Sequence, residues 1–277
     1  LYKKVEKPKK LEKIDFDSTI KMIARKHNID LSKIDTSRPD LSTEQKQKAW
    51  DRIWGEKKNK EFEVFERKFQ ENNRKRLFNS ALISDIDDLK QTFNDFKVIN
   101  NKQKVELLGA KKIAYRIING EVGNFTFSGN AGSGKTMLAI SILNQVMLSN
   151  KSLSCYFASF AMMAQMGKDS INDEGIKRDL IRTEKCIKAC DILVLDDLGS
   201  ESAFKSNNQY GDNEASNYTQ KILFRIADYR KSKVNIVTTN NSSKELQEIY
   251  NPKIYSRLIA KKLGNAIRFD SEDMRNI

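Results

Sequence analysis

At 277 residues the chain carries 50 Lys and Arg against 37 Asp and Glu, a formal charge of +13 with a pI near 9.5, so nucleic acid ranks above acidic small molecules among expected partners. Hydrophobic residues make up 39% and charged residues 31%, with only 12 Gly and 3 Pro, which excludes wholesale disorder and indicates a folded, helix-rich protein. Cys155, Cys186 and Cys190 with a single histidine, His27, leave neither a disulfide framework nor a zinc site easily assembled, and a reducing, cytoplasmic setting is expected. The basic excess is spread out: 22 basic against 14 acidic residues in 1–80, and 28 against 23 in 81–277. No apolar stretch is long enough to span a bilayer, no signal peptide stands at this N-terminus, and no membrane partner is expected.

In chain order, the lysine-rich run from Tyr2 to Lys10, interrupted by Pro8, reads as a flexible arm. Ser18 to Lys26 predicts a short helix with Ile20, Ile23 and Ala24 on one side, and Thr36 to Pro39 a turn. A longer helical element starts at Ser42, an N-cap with Gln45 at the capping-box position. Trp50, Ile53, Trp54, Phe62, Phe65 and Phe69 then recur at three- and four-residue steps, with Gly55 expected to separate or kink the helix. So short a segment cannot bury this aromatic stripe in a large core of its own, and the stripe either docks on another protein or packs internally.

After Asn79 the composition shifts: Ser84 to Lys90 is acidic, and Gln91 to Phe96 reads as a linker. The expected organisation is a small all-α domain over 1–80, a linker over 81–104 and an α/β domain over 105–277, with a parallel sheet flanked by helices. Candidate strands are Phe125–Ser128, Ser154–Ala158, Ile192–Asp196, Val234–Thr238 and Ala266–Phe269. Cys186 and Cys190, four apart on a predicted helix, read as buried structural thiols.

The chemistry is concentrated in the α/β part. Gly129, Asn130, Ala131, Gly132, Ser133, Gly134, Lys135 and Thr136 fit the P-loop pattern between an apolar strand and a helix opening at Met137. Gly129 to Met137, together with Arg275, are the candidate nucleotide-binding set. Glycines turn backbone N–H groups toward phosphate oxygens, the helix N-terminus favours negative charge, Lys135 reaches the β- and γ-phosphates, and the Thr136 hydroxyl serves Mg²⁺. Asp191 to Asp197 is an apolar strand ending in two carboxylates. Ligands of parallel sheets sit beyond the carboxyl ends of strands, so Asp196 is the candidate for Mg²⁺ and Asp197 for orienting the attacking water. Asn240, following the Val234–Thr238 run, is the candidate γ-phosphate sensor. Arg257 and Arg275 are candidates for extra positive charge on a triphosphate, although a surface salt bridge is the commoner fate of a lone arginine. Lys221, Arg225 and Arg230, on the helix before the sensor strand, are candidate contacts to single-stranded DNA, or simply a solvated helix face.

Taken together, Phe93-Asn94-Asp95-Phe96, Gly129 to Thr136, Leu193 to Gly199, Thr239-Asn240, Ser256-Arg257-Leu258 and Phe269 to Arg275 resemble the AAA+ ATPase domain of DnaC/DnaI-type replicative helicase loaders. The resemblance covers about two-thirds of the chain. It implies ATP and Mg²⁺ as cofactors, Arg257 as the arginine finger given to a neighbouring subunit, Arg275 as a second sensor, and Phe93 and Phe96 in the segment near the base. It also implies self-association through the ATPase domains, a replicative DNA helicase held by the N-terminal helical domain without metal, and single-stranded DNA as a further partner. Asp197 stands where many AAA+ motors have glutamate, so hydrolysis is expected to be slow or switch-like. The polar stretch Phe204 to Asn213 is expected to be a mobile loop. A transposition-helper ATPase of the IstB kind and a nucleotide-gated adaptor without useful turnover are the rival readings.

Overall fold

The computed structural model describes residues 21, 24–26, 43–203, 217–262 and 264–273, and the chain divides into two compact units, 1–70 and 71–277. The N-terminal arm, the turn at 36–39, the Ser42 cap, the 204–213 stretch and Arg275 lie outside the described residues. Of the short helix expected over 18–26, Lys21 and Ala24 to Lys26 are described and helical.

Helix α1, Thr43–Asn79, is continuous through Gly55 rather than divided there. One interior glycine costs only about 1 kcal/mol relative to alanine. The 37-residue run is rich in Lys and Glu, and pairs such as Glu44–Lys48 at 2.8 Å and Lys57–Glu61 at 3.7 Å add local support. Within the first unit Phe62, Phe65 and Phe69 are exposed, and the rings of Phe65 and Phe69 stack with centroids 6.2 Å apart.

The second unit holds, among the described residues, five strands in one parallel sheet: β1 Gly123–Gly129, β2 Cys155–Ser159, β3 Ile192–Asp196, β4 Val234–Thr239 and β5 Ala266–Phe269. Their order is β2-β3-β4-β1-β5, so β4 is inserted between the P-loop strand and the strand of the paired acids. All five candidate strands are found, each within two residues of its expected ends. Helices α2 Asn101–Ile118, α3 Lys135–Ser149, α4 Phe160–Asp169 and α5 Glu174–Ala189 alternate with them. Further along come α6 Ser200–Ala203, α7 Asn217–Tyr229, α8 Ser243–Ile249 and α9 Pro252–Leu258.

Alternation along the strands gives each sheet face its own core. Ile192 and Val194 join Phe125, Phe127, Ile113 and Leu138 on one side, while Leu193 and Leu195 join Tyr156, Met163, Leu180 and Ile222 on the other. Fully burying each such side chain contributes about 1.5–3 kcal/mol. Cys155 and Cys190 are buried within these cores and Cys186 is half-buried; burial pushes the Cys155 and Cys190 thiols up, as suits inert packing groups.

The stretch read from sequence as a linker packs on the sheet. Leu82 bridges to Ala158 at the β2 edge, Leu89, Phe93 and Phe96 enter the core, and the Asn144 amide donates to the carbonyls of Leu89 at 2.7 Å and Gln91 at 2.8 Å. Just before it, the buried Arg74 guanidinium donates to Leu153 O at 2.7 Å, Asn150 O at 2.9 Å and Met147 O at 3.2 Å, which satisfies carbonyls at the end of α3.

Candidate active site

The parallel sheet brings the carboxyl ends of β1, β3 and β4 to one edge, where helix α3 begins. Gly129, Gly132 and Gly134 hold φ of 133°, 70° and 89°, a region closed to other residues without strain. The turn needs them for a second reason at Gly129, where an added Cβ would meet the Phe269 carbonyl oxygen at 2.1 Å. The Lys135 ammonium donates to the carbonyls of Gly129 at 3.0 Å and Asn130 at 2.5 Å, folded over the loop that is expected to cradle phosphate.

The two acids at the end of β3 are held by hydroxyls. Asp196 Oδ1 accepts from Thr136 Oγ1 at 2.9 Å and from Thr238 Oγ1 at 2.6 Å. Burial pushes its carboxyl up, while the Thr238 and Thr136 hydrogen bonds oppose that shift. Asp197 stands in the left-handed region at φ 58°, a conformation that costs a non-glycine residue about 1–3 kcal/mol. Its amide donates to Thr238 Oγ1 at 2.9 Å and its Oδ1 accepts from Asn240 Nδ2 at 3.3 Å. One threonine hydroxyl thus bridges both acids, and the Asn240 amide touches the second.

These groups open on a cavity of about 630 Å³ lined by Ala131, Gly132, Gly134, Lys135, Thr136, Met137, Asp196, Asp197, Thr238 and Asn240, with Asp88, Gln91, Asp95 and Lys97 on another wall. The sequence candidates Asp196, Asp197, Asn240 and the P-loop residues are therefore brought together. Thr238 was missed; the only signal was a hydroxyl residue two positions before Asn240 near the end of the strand. Phe93 and Phe96 turn into the core, and their neighbours Gln91, Asp95 and Lys97 face the cavity instead. A hydroxyl, a carboxylate and room for phosphate oxygens form an all-oxygen donor set, which fits Mg²⁺ with a nucleotide.

Arg257 does not line this cavity. On α9 its guanidinium lies over the Phe224 ring at 4.7 Å and its Nη1 is 3.2 Å from Asp228 Oδ1, without the alignment of a hydrogen bond. Arg230 is corrected outright as a DNA contact. It is 0% exposed, and it donates to the carbonyls of Ile187, Cys190, Asp191 and Val234 and to Asn235 Oδ1 at 2.5–3.1 Å. Arg225 is exposed but paired with Glu184 at 2.6 Å. A second missed feature lies past β5: buried Glu106 accepts from Asp270 N at 3.1 Å, Ser271 N at 3.3 Å and Ser271 Oγ at 2.9 Å, while Asn130 Nδ2 donates to Ser271 O at 3.3 Å. The segment that leads toward Arg275 is thereby tied to α2 and to the P-loop.

A P-loop, a strand ending in paired acids and a strand inserted between them form an arrangement found in AAA+ and related P-loop ATPases. The chain matches the family described as "ATPase family associated with various cellular activities (AAA)" over residues 125–260. It is 25% identical over 178 residues to the replicative helicase loader DnaC of Escherichia coli (strain K12), with 64% of each chain covered. It is likewise 25% identical over 183 residues to DnaC of Buchnera aphidicola subsp. Acyrthosiphon pisum (strain APS), covering 64% of this chain and 65% of that one. The matches therefore span just under two-thirds of the length of these relatives. Among solved structures, DnaI is similar at a TM-score of 0.51 and 18% identity, covering 68% of this chain and 95% of that chain, a likeness of fold. Over about two-thirds of its length the chain is thus similar to DnaC-type helicase loaders.

Proposed function

We propose that the protein is an ATP-dependent loader that binds a replicative hexameric DNA helicase and helps place it on single-stranded DNA. The observation that supports nucleotide chemistry most strongly is the hydrogen-bonded line Thr136–Asp196–Thr238–Asp197–Asn240 beside the P-loop. The loader role is supported by the similarity to DnaC.

In this reading Lys135 and the P-loop amides hold the phosphates, Thr136 and Asp196 hold Mg²⁺, and Met137 and Arg275 complete the nucleotide site. Mg²⁺, held there by Thr136 and Asp196, would supply charge neutralisation at the triphosphate. Asp197, kept in place by the Thr238 hydroxyl and the Asn240 amide, orients the attacking water. Its shorter reach than a glutamate's suits slow turnover. Arg257 lies away from its own cavity and serves the neighbouring subunit's triphosphate, so turnover depends on assembly. The exposed Phe62, Phe65 and Phe69 of the N-terminal unit dock on the helicase. Single-stranded DNA is held through phosphate by surface lysines and arginines, with strong salt dependence.

The test is native mass measurement of the full chain mixed with candidate helicases, with and without ATP. An ATP-sensitive complex is expected, lost when Phe62, Phe65 and Phe69 are replaced by serine. Capture of a transposase and coating of duplex DNA, with no helicase complex, would support the transposition-helper reading instead.

A further inference from the structure

The four-residue helix α6, Ser200–Ala203, follows directly on the acids of β3 and contains a carboxylate that the nucleotide chemistry does not use. Glu201 is 8% exposed. Its Oε2 accepts from the Gly199 amide at 3.0 Å, and its Oε1 accepts from the Tyr250 hydroxyl in a short hydrogen bond. Burying a carboxylate is costly unless its oxygens are satisfied, and an apolar side chain would fill this position at less cost. Both oxygens are committed, one to each of two segments of different function.

The first segment is 197–199. Asp197 holds its left-handed conformation, Gly199 follows at φ 102°, and Leu198 is laced to the sensor strand through Leu198 N to Thr238 O at 2.9 Å and Thr239 Oγ1 to Leu198 O at 2.6 Å. Gly199 packs so tightly on the residue after the sensor that an added Cβ would lie 2.4 Å from Asn241 Oδ1. The second segment is the junction at Tyr250. This residue closes α8 through its amide to Leu246 O, and Asn251 then caps α9, which has Pro252 at its start and carries Arg257. Tyr250 is 3% exposed. Burial pushes its hydroxyl and the Glu201 carboxyl up, so the tyrosine remains a proton donor.

We propose that Glu201 and Tyr250 form a buried strut that transmits the occupancy of a subunit's own nucleotide site to helix α9, and so to the Arg257 that it presents to its neighbour. The strut rests on the reading of Arg257 as a finger acting in trans. Nucleotide draws on Asp197 and Asn240, the 197–199 segment shifts with them, and Glu201, bonded to the Gly199 amide and to the Tyr250 hydroxyl, carries Tyr250 along. The two are positioning residues; neither touches the nucleotide cavity.

The experiment uses the full chain with Cys186→Ser, since Cys155 and Cys190 are buried, and an environment-sensitive fluorophore on Lys253→Cys, an exposed position on α9. Mg²⁺ with ATPγS is expected to shift the emission of the otherwise wild-type protein. Tyr250→Phe and, independently, Glu201→Gln, which keeps the side-chain volume, are each expected to bind ATPγS within twofold of wild type and to lose at least four-fifths of the shift. No shift in the wild-type background, or a full shift in whichever variant folds, overturns the strut. Arg257→Ala separates the two ideas: if its assembled ATPase equals wild type, the finger reading fails whatever the probe does. If Arg257→Ala abolishes turnover while Tyr250→Phe keeps the probe response, the strut alone fails.

Discussion

Replacing Thr238 by valine removes one hydroxyl while nearly preserving side-chain volume, and that hydroxyl is the point where both acids of the site meet. Two bonds are lost: the donation to Asp196 Oδ1 at 2.6 Å and the acceptance from the Asp197 amide at 2.9 Å. A hydrogen bond to a charged group contributes about 1.5–3 kcal/mol. The left-handed Asp197, at φ 58°, also loses the contact that offsets its strain. If a similar amount is lost from the transition state, turnover falls about 10- to 100-fold, since each 1.36 kcal/mol is about tenfold in rate. The pH dependence has a definite sign. Burial raises the Asp196 carboxyl and the Thr238 bond opposes the rise, so without the hydroxyl Asp196 protonates at higher pH, and the acid limb of the rate profile moves toward neutrality. Steady-state ATPase at saturating ATP, from pH 5 to 9, measures both effects. Turnover within twofold of wild type with an unmoved acid limb would refute the reasoning.

Asp196→Asn is expected to raise the melting temperature of the nucleotide-free protein while abolishing Mg²⁺-dependent nucleotide binding. The folded-state carboxyl is raised by burial, so its contribution to folding is fully present below the ordinary carboxylate range and is lost as pH rises through the raised value. At pH 7.5 the ionised group opposes folding; relief by asparagine is about 0.5–2 kcal/mol, a few degrees by differential scanning fluorimetry, and the gap should close in acid. Arg230→Met removes the guanidinium from four carbonyls and the Asn235 side chain, and of these Cys190 O, through Lys233 Nζ, and Asp191 O, through Val234 N, keep a further donor. The expected loss is about 3–5 kcal/mol in urea unfolding, with an unchanged salt slope of DNA binding in whatever fraction stays folded, because the side chain never reaches solvent.

The sheet was legible in the sequence because each strand is an apolar run bounded by turn residues, and the site because P-loop spacing and the acidic end of β3 are local patterns. Less legible were features made by distant partners. Thr238 is an ordinary strand residue until β4 is inserted beside β3, and Glu106 is an ordinary helix residue until Ser271 folds back onto it. The 81–104 stretch looked like a linker because Ser84 to Lys90 is acidic and Gln91 to Phe96 mixes polar residues with isolated aromatics, yet Leu89, Phe93 and Phe96 suffice to anchor it in the core. Arg230 looked like a surface cation by position on its helix. Its burial depends on carbonyls at the end of α5 and the start of β4 that no reading of α7 alone reveals. Gly55 was over-read as a breaker, since a long run of helix-forming neighbours outweighs a single glycine.

Equilibrium binding of a fluorescent ATP analogue to Lys135→Ala, with Mg²⁺ present, tests the nucleotide site most directly. Removing the ammonium that folds over Gly129 and Asn130 should weaken binding at least tenfold without lowering the melting temperature of the nucleotide-free protein. Wild-type affinity in that variant would contradict the account.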